Sequence, residues 1–310
     1  MGASALSSRA IIGEFYNRLQ QNAGAEWIDP LSMLFQSDQA SEEYKWLGMA
    51  PAMREWIGGR NAKGFRENGI TIKNKDFEAT MEVLVKELKR DKTGQILVRV
   101  REMADRTNAH WAKLLSTLIV NAESAICYDG QFFFDTDHSE GDSGTQSNDI
   151  TSDVTTTTDP TAAEMEKAIL KSVEAILGFK DDQGEPMNEG ASLFRVMVPV
   201  PFMSAAAAAL KNPVIVDGSG SRTNTITNLG GFSFALDVNS RLSWTTKLAV
   251  FRADGNTKPF IRQEEEPVSM AAISDGSDLE FNEKKHHYGV SASRNVGYGY
   301  WQHGCLVTLI

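Results

Sequence analysis

GQILVRVREMADRTNAHWAKLLSTLIVNA, residues 94–122, carries the longest regular pattern in the chain: Ile96, Val100, Met103, Thr107, Trp111, Leu114 and Leu118 follow one another at steps of three or four. Residues so spaced share one face of a helix at 3.6 residues per turn. A helix over the whole stretch spans about 43 Å at 1.5 Å per residue, longer than most globular helices. The pattern predicts a structural spine around which the rest of the chain is arranged.

Outward from this spine toward the N-terminus, FEATMEVLV (residues 77–85) reads as a strand entering a core. Before it, the polar stretches 61–66 and 69–74 are candidate strands, with Glu67-Asn68-Gly69 between them as a hairpin turn, because Asn-Gly supplies the positive φ values a tight turn needs. Such a polar arm has little apolar alternation and must lean on a neighbour. Residues 7–22 form an amphipathic helix capped by Ser7 or Ser8, with Ile11, Ile12, Phe15, Tyr16 and Leu19 as its stripe. A second apolar patch, Trp27 to Phe35, is interrupted by Pro30. So much apolar surface near the N-terminus calls for a partner, which is expected to be another subunit.

On the C-terminal side, a Gly/Ser/Thr/Asp/Asn tract over 140–159 is expected to be a long surface loop. Thr158-Asp159-Pro160 starts a helix with Met165, Ile169 and Val173 on one face. Residues 193–202 read as a strand ending at Pro199 and Pro201, SAAAAALKNP as a short helix capped by Ser204, and 217–225 as a flexible loop. Phe232, Phe234 and Leu236 alternate, as do Leu248 and Val250, and the remainder looks like antiparallel sheet to the last residue. This is an α+β chain.

At 310 residues one large mixed domain or two interleaved ones can each bury a core. Charged residues at 23% and hydrophobic residues at 41% are ordinary for a globular chain and argue against wholesale disorder. Thirty-one basic against 41 acidic side chains leave a net charge of −10, which discourages direct nucleic-acid binding. The same charge permits an inner wall that repels phosphate. Cys127 and Cys305 form neither a disulfide framework nor a CxxC pair and are expected reduced. No apolar run reaches the roughly 20 residues of a membrane span, and MGASALSSRAIIGEF lacks the layout of a signal peptide. The expected setting is a cytosol, with no membrane partner.

Asp135-Thr136-Asp137-His138 is the best metal candidate, since an Asp-x-Asp-His cluster could offer three ligands from one loop. Its competing reading is a set of turn caps. His286 and His287 would point to opposite faces of a strand, so they cannot share an ion; one is expected packed and one exposed. HExxH, GxSxG and Walker motifs are absent, and Ser219 and Ser221 have no base nearby in sequence. The aromatic residues Trp46, Trp56, Phe132 to Phe134, Tyr298, Tyr300 and Trp301 could stack on sugars or bases; core or interface packing is the stronger reading.

YKWLGMAPAMREWIGGR at 44–60, CYDGQFFFDTDHS at 127–139 and YGVSASRNVGYGYWQ at 288–302 resemble, in order, signature stretches of the Mu-like prophage major head (capsid) subunit family. The resemblance runs from about Ala5 to the C-terminus. It implies an HK97-like major capsid protein fold, shared by tailed phages and encapsulins. On this chain it places an N-terminal arm at 1–52, an extended E-loop hairpin at 53–75, a peripheral domain with the spine helix at 76–125 and a long loop at 126–159. An axial domain follows at 160–250, and 251–310 supply C-terminal strands of the peripheral domain. The implied function is self-assembly into hexamers and pentamers of an icosahedral head shell around packaged double-stranded DNA. The implied partners are a separate scaffolding protein, a portal at one vertex and a decoration protein; the implied place is the virion, after assembly in the bacterial host cytoplasm. No catalytic, cofactor or metal residue is expected. Lys63 on the E-loop gives no convincing case for crosslinking, so shell closure is expected to be non-covalent. The alternatives are an encapsulin-like compartment, a metal-dependent hydrolase using Asp135, Asp137 and His138, and a carbohydrate-binding decoration module.

Overall fold

The computed structural model describes residues 7–22, 24–45, 69–91, 94–218 and 220–310. The Ser7 hydroxyl accepts the Ala10 amide and opens helix α1 (Ser8–Gln21), which buries Ile11 and Phe15. One turn of helix containing Pro30, α2 (Ile28–Leu31), leads into strand β1 (Ser32–Gln36). Strands β2 (Ser41–Tyr44), β3 (Ile70–Lys73) and β4 (Lys75–Leu84) follow, then α3 (Val85–Arg90). Gly94, at φ +74°, turns the chain into the spine helix α4 (Gln95–Val120). The Asp91 carboxylate accepts the Gln95 and Ile96 amides there, satisfying two donors a helix start leaves open. At 26 residues α4 is about 39 Å long.

The tract after the spine is not the free loop that its composition suggests. It holds a small ladder, β5 (His138–Ser139) against β6 (Thr145–Gln146), and then β7 (Asp149–Ser152), which joins a sheet. Glu140, Ser143, Asn148 and Ser152 are buried there, Asn148 wholly. Helix α5 (Ala162–Gly178) starts at Thr161, one residue beyond the expected Thr-Asp-Pro start, with a reciprocal Thr161–Glu164 capping box. β8 (Leu193–Val198) ends at Pro199, and a single 3-10 turn at residues 200–202 feeds α6 (Met203–Lys211). Ser204 therefore lies inside that helix and caps nothing. The supposed flexible loop at 217–225 is the antiparallel pair β9 (Val214–Asp217) and β10 (Gly220–Thr223), followed by the short helix α7 (Thr225–Asn228). Then come β11 (Ser233–Val238), β12 (Lys247–Arg252), β13 (Phe260–Ile273), α8 (Asp278–Glu283), β14 (Lys285–Tyr298) and β15 (Gly304–Leu309).

Two sheets organise the chain. A four-stranded sheet runs β1-β13-β14-β4, and a five-stranded sheet runs β11-β8-β12-β15-β7. The C-terminal part is less uniformly antiparallel than its alternation suggests: β1 with β13, β11 with β8 and β15 with β7 are parallel pairs. Residues 251–310, expected to return together to one sheet, divide. β13 and β14 build the first sheet, while β15 lies between β12 and β7 in the second.

The spine helix serves two cores. Ile96, Val100 and Ala104 pack with Ile11, Phe15, Val83, Tyr288 and Val290; farther along, Ala112, Leu115 and Ile119 enter the larger cluster with Phe133, Phe194, Phe251 and Trp301. The stripe expected from sequence is turned by about one residue beyond Val100. Met103, Thr107, Trp111, Leu114 and Leu118 are half-buried, and the small Ala104, Ala112 and Ser116 face inward. They share the inward face with Leu115 and Ile119, while Trp111, Leu114 and Leu118 flank it. Trp111 is accordingly not a fully buried peg; its ring lies beneath the guanidinium groups of Arg294 (4.7 Å) and Arg262 (5.5 Å).

Candidate assembly surfaces

β2 and β3 pair antiparallel, with Tyr44 opposite Ile70 and Ser41 opposite Lys73. A chain that leaves after Lys45 thus returns at Gly69, and the return is tight: a Cβ on Gly69 would lie 2.9 Å from the Tyr44 carbonyl. The turn expected at Glu67-Asn68-Gly69 falls on residues outside the described ones except for Gly69. The described partner of β3 is β2, and Gly69 sits at the foot of the excursion against backbone. Residues 46–68, which include Trp46, Met53, Trp56, Lys63 and the candidate strand 61–66, lie outside the described residues.

The foot is pegged by polar groups, of which Tyr44 and Gln263 are buried. Tyr44 Oη donates to Gln263 Oε1 at 2.7 Å, and Gln263 Nε2 donates to Asn74 Oδ1 at 2.8 Å and to the Ile72 carbonyl at 3.2 Å. Asn295 Nδ2 donates to the Lys73 carbonyl at 2.6 Å. Burial, with Glu42 adding to it, pushes the Tyr44 phenol up to about 12, so it stays a donor at neutral pH. Gln263 is wholly buried and uses its oxygen and both amide hydrogens, which makes this a rigid mount.

The β9–β10 hairpin is a second candidate surface. Ile215 faces inward at 2% exposure, while Val214 and Val216 on the other face stand 54% and 70% exposed. Its base is held by the Arg222 guanidinium, which pairs with buried Glu166 and with Asp217. Glu166 also accepts the Thr225 amide at 2.6 Å. Burial pushes that carboxyl up, but the Arg222 and Thr225 donors prevail and keep it below the usual glutamate range.

The N-terminal helix, expected to seek another subunit, lies on its own chain. Arg18 grips Asp105 of α4 through two bonds of 2.8 and 2.9 Å, Asn22 adds a third, and Asn108 Nδ2 donates to the Leu19 and Asn22 carbonyls at the end of α1. Sequence reasoning missed this clasp. Its only signal was Asp105 and Asn108 one turn apart on the spine, which reads equally as a solvated face.

Of the expected chemical residues, the 135–138 cluster does not converge on a point. His138 is completely buried, with Nδ1 2.6 Å from Asp129 Oδ2 and Nε2 3.2 Å from Asn148 Oδ1, and its ring stacks on Trp301 at 3.9 Å. Both nitrogens are engaged, so neither can reach an ion shared with Asp135 and Asp137. Asp135 caps the Phe132 and Thr136 amides, the turn-capping role that competed with metal binding. Asp137 is exposed, and its bond to Asp135 raises its carboxyl above the usual aspartate range. His303 bonds Thr257 and Asn188, and burial drives it down to about 3, leaving a neutral structural ring. Of the paired histidines, His286 is buried and His287 lies 3.2 Å from Glu82 near the surface, as expected for opposite faces. Ser221 lies on β10, and Ser219 is outside the described residues. Phe133, Phe134, Tyr298, Tyr300 and Trp301 are buried in the larger core, so these aromatics pack rather than present a stacking platform; Phe132 is 41% exposed. Cys127 and Cys305 are buried free thiols, both pushed well up by burial. Among the described residues, no helix is long and apolar enough to cross a membrane.

Comparison with known proteins bears on these surfaces. The sequence profile of the family described as Mu-like prophage major head subunit gpT matches residues 9–162 and 239–307, well over half of the chain. The Mu-like prophage FluMu major head subunit of Haemophilus influenzae is 30% identical over 273 residues, 88% of this chain and 63% of that protein. The major capsid protein of Escherichia phage Mu is 32% identical over 108 residues, 35% of each chain. The chain thus spans less than two thirds of the length of these relatives. Among solved structures, the procapsid of bacteriophage JBD30 aligns with 97% of this chain and 74% of its own at a TM-score of 0.55 and 24% identity. That likeness establishes the fold, α+β of the HK97-like capsid type. On the profile match and the shared fold together, the chain belongs to the Mu-like prophage major head subunit gpT family.

Proposed function

We propose that this chain is the subunit of a phage head: copies of it join as hexamers and pentamers and close into an icosahedral shell around packaged double-stranded DNA. The single observation that carries the reading is the pegged foot between Tyr44 and Gly69, which holds the two ends of the 23-residue stretch 46–68 side by side. A rigid mount of this kind suits a segment that must reach a neighbour in a fixed direction. In this reading the excursion is the E-loop, the four-stranded sheet with α4 is the peripheral domain, and the five-stranded sheet with its β9–β10 hairpin is the axial domain. The latter presents Val214 and Val216 toward the capsomer centre. Since α1 is clasped to its own spine, contacts between copies fall to the excursion and the hairpin. The finer partners are a separate scaffolding protein, a portal at one vertex and a decoration protein. The chain works in the virion after assembly in the host cytoplasm, without a catalytic step. Its net charge of −10 suits a wall that contains DNA without gripping it.

The test replaces residues 46–68 with a short Gly/Ser linker, which the adjacency of Tyr44 and Gly69 allows. The expected product is a folded, soluble subunit that forms no shells with its scaffold; normal particles in negative-stain images would sink the assignment of the excursion.

A further inference from the structure

The turn that joins the two longest strands gathers three side chains that the head-shell reading does not use. Asp275 lies just past β13, Glu280 lies on α8, and His286 is the second residue of β14. His286 is 2% exposed, and both of its ring nitrogens are buried without a hydrogen-bond partner among the described residues. Buried polar atoms rarely stay unpaired. Nε2 is aimed between Glu280 Oε1 at 3.6 Å and Asp275 Oδ1 at 3.7 Å, and the three donor atoms all lie within 4.8 Å of one another.

These distances suit a shared ion better than a direct pair. An imidazolium bound to a carboxylate draws it to about 2.7–2.9 Å. Two ligands on a tetrahedral zinc, each at about 2.0–2.1 Å, stand about 3.3 Å apart. The observed spacings need only a small closing movement, and Asp275, 79% exposed, is free to make it. Glu280 is already set: its Oε2 accepts the Gly276 amide at 2.7 Å, which leaves Oε1 facing the ring. His286 is opposite Val83 in the sheet and beside the Tyr288 ring, so its orientation is set by packing.

We propose that Asp275, Glu280 and His286 bind one divalent transition-metal ion of the zinc class, through Oδ1, Oε1 and Nε2, with water completing the coordination. One imidazole with two carboxylates favours zinc or cobalt over magnesium or calcium, whose preferred ligands are all oxygen. Among the described residues Nδ1 has no hydrogen-bond acceptor, so the site lacks the support that tightens many histidine ligands, and micromolar affinity is expected. The ion would staple α8 to the start of β14, fixing the end of the longest hairpin in the subunit.

The test uses the unassembled full chain, stripped with a chelator and titrated with zinc chloride by calorimetry and with cobalt chloride by visible absorption. One ion per chain is expected, with a tetrahedral cobalt spectrum. Asp275→Asn and Glu280→Gln should each weaken binding at least about tenfold, His286→Gln should abolish it, and magnesium chloride should not compete. Asp275→Asn changes an exposed side chain and keeps the test decisive if His286→Gln fails to fold. The proposal is overturned if zinc shows no saturable binding below about 1 mM, or if Asp275→Asn and Glu280→Gln bind it as tightly as the parent. Because the protein is unassembled, the result is independent of whether shells form.

Discussion

Asn148 stands where the tract after the spine meets the larger core. Its amide donates to the Phe133 and Trp301 carbonyls, while its oxygen accepts the Asp135 amide and faces His138 Nε2. Truncation strands several buried polar groups at once, each costing about 1–3 kcal/mol. Asn148→Ala is therefore expected to lose about 3–5 kcal/mol in chemical denaturation; a loss under about 1 kcal/mol would mean that the network re-forms without it. Nothing in the sequence singled out Asn148, because a polar residue inside a Gly/Ser/Asp tract looks like every other loop residue. The inverse happened at Trp111. Helical spacing marked it as a core peg, but spacing cannot resolve which side of a wide stripe meets the core, and Ala112, Leu115 and Ile119 took the contact.

At the level of the element, helix α5 owes its start to Glu164. Partial burial pushes this carboxyl up, but the Thr161 and Thr155 donors outweigh it and hold it down to about 2, from 4.5. The group is more acidic folded than unfolded, so its contribution is complete above about 4.5 and is lost as pH falls toward about 2. Glu164→Gln keeps a capping side chain but removes the charge. The urea midpoint of the variant should fall less steeply than that of the parent between pH 5 and pH 2.5, values chosen to bracket the window of about 4.5 to about 2. Parallel curves would assign the acid sensitivity to other carboxylates. Elements built on local rules were legible: α1 with its Ser7 cap, α4 with its period, and β4 and β8 with their apolar runs. Pairings between distant segments were not. Nothing near Gly69 announces Tyr44 as its neighbour, because a close backbone approach leaves no mark in the sequence beyond the glycine itself.

Across the whole molecule, function was legible from three separated stretches rather than from any chemical cluster. The DTDH segment illustrates why: its residue types suit a metal, but a buried stack on Trp301 commits His138 to the core. Conversely, the Asp275, Glu280 and His286 group was invisible, because its members are scattered over a turn, a short helix and a strand. The head-shell reading makes a further demand on the β9–β10 hairpin. Val216→Asp alters a side chain 70% exposed, so subunit stability should change by less than about 0.5 kcal/mol. Shell yield should nonetheless collapse if that face is covered in a capsomer. Unchanged particle counts beside an unchanged unfolding curve would remove the hairpin from the contact.

The place of β15 has one more outcome. Residues 304–309 lie between β12 and β7, and the Ile310 amide bonds back to Ser152. A chain cut short before residue 304 therefore lacks the strand that ties β7 to the rest of the larger sheet. In the head-shell reading, such a fragment leaves the β12 edge uncovered and β7 without its partner, so a copy so opened is not expected to join a shell.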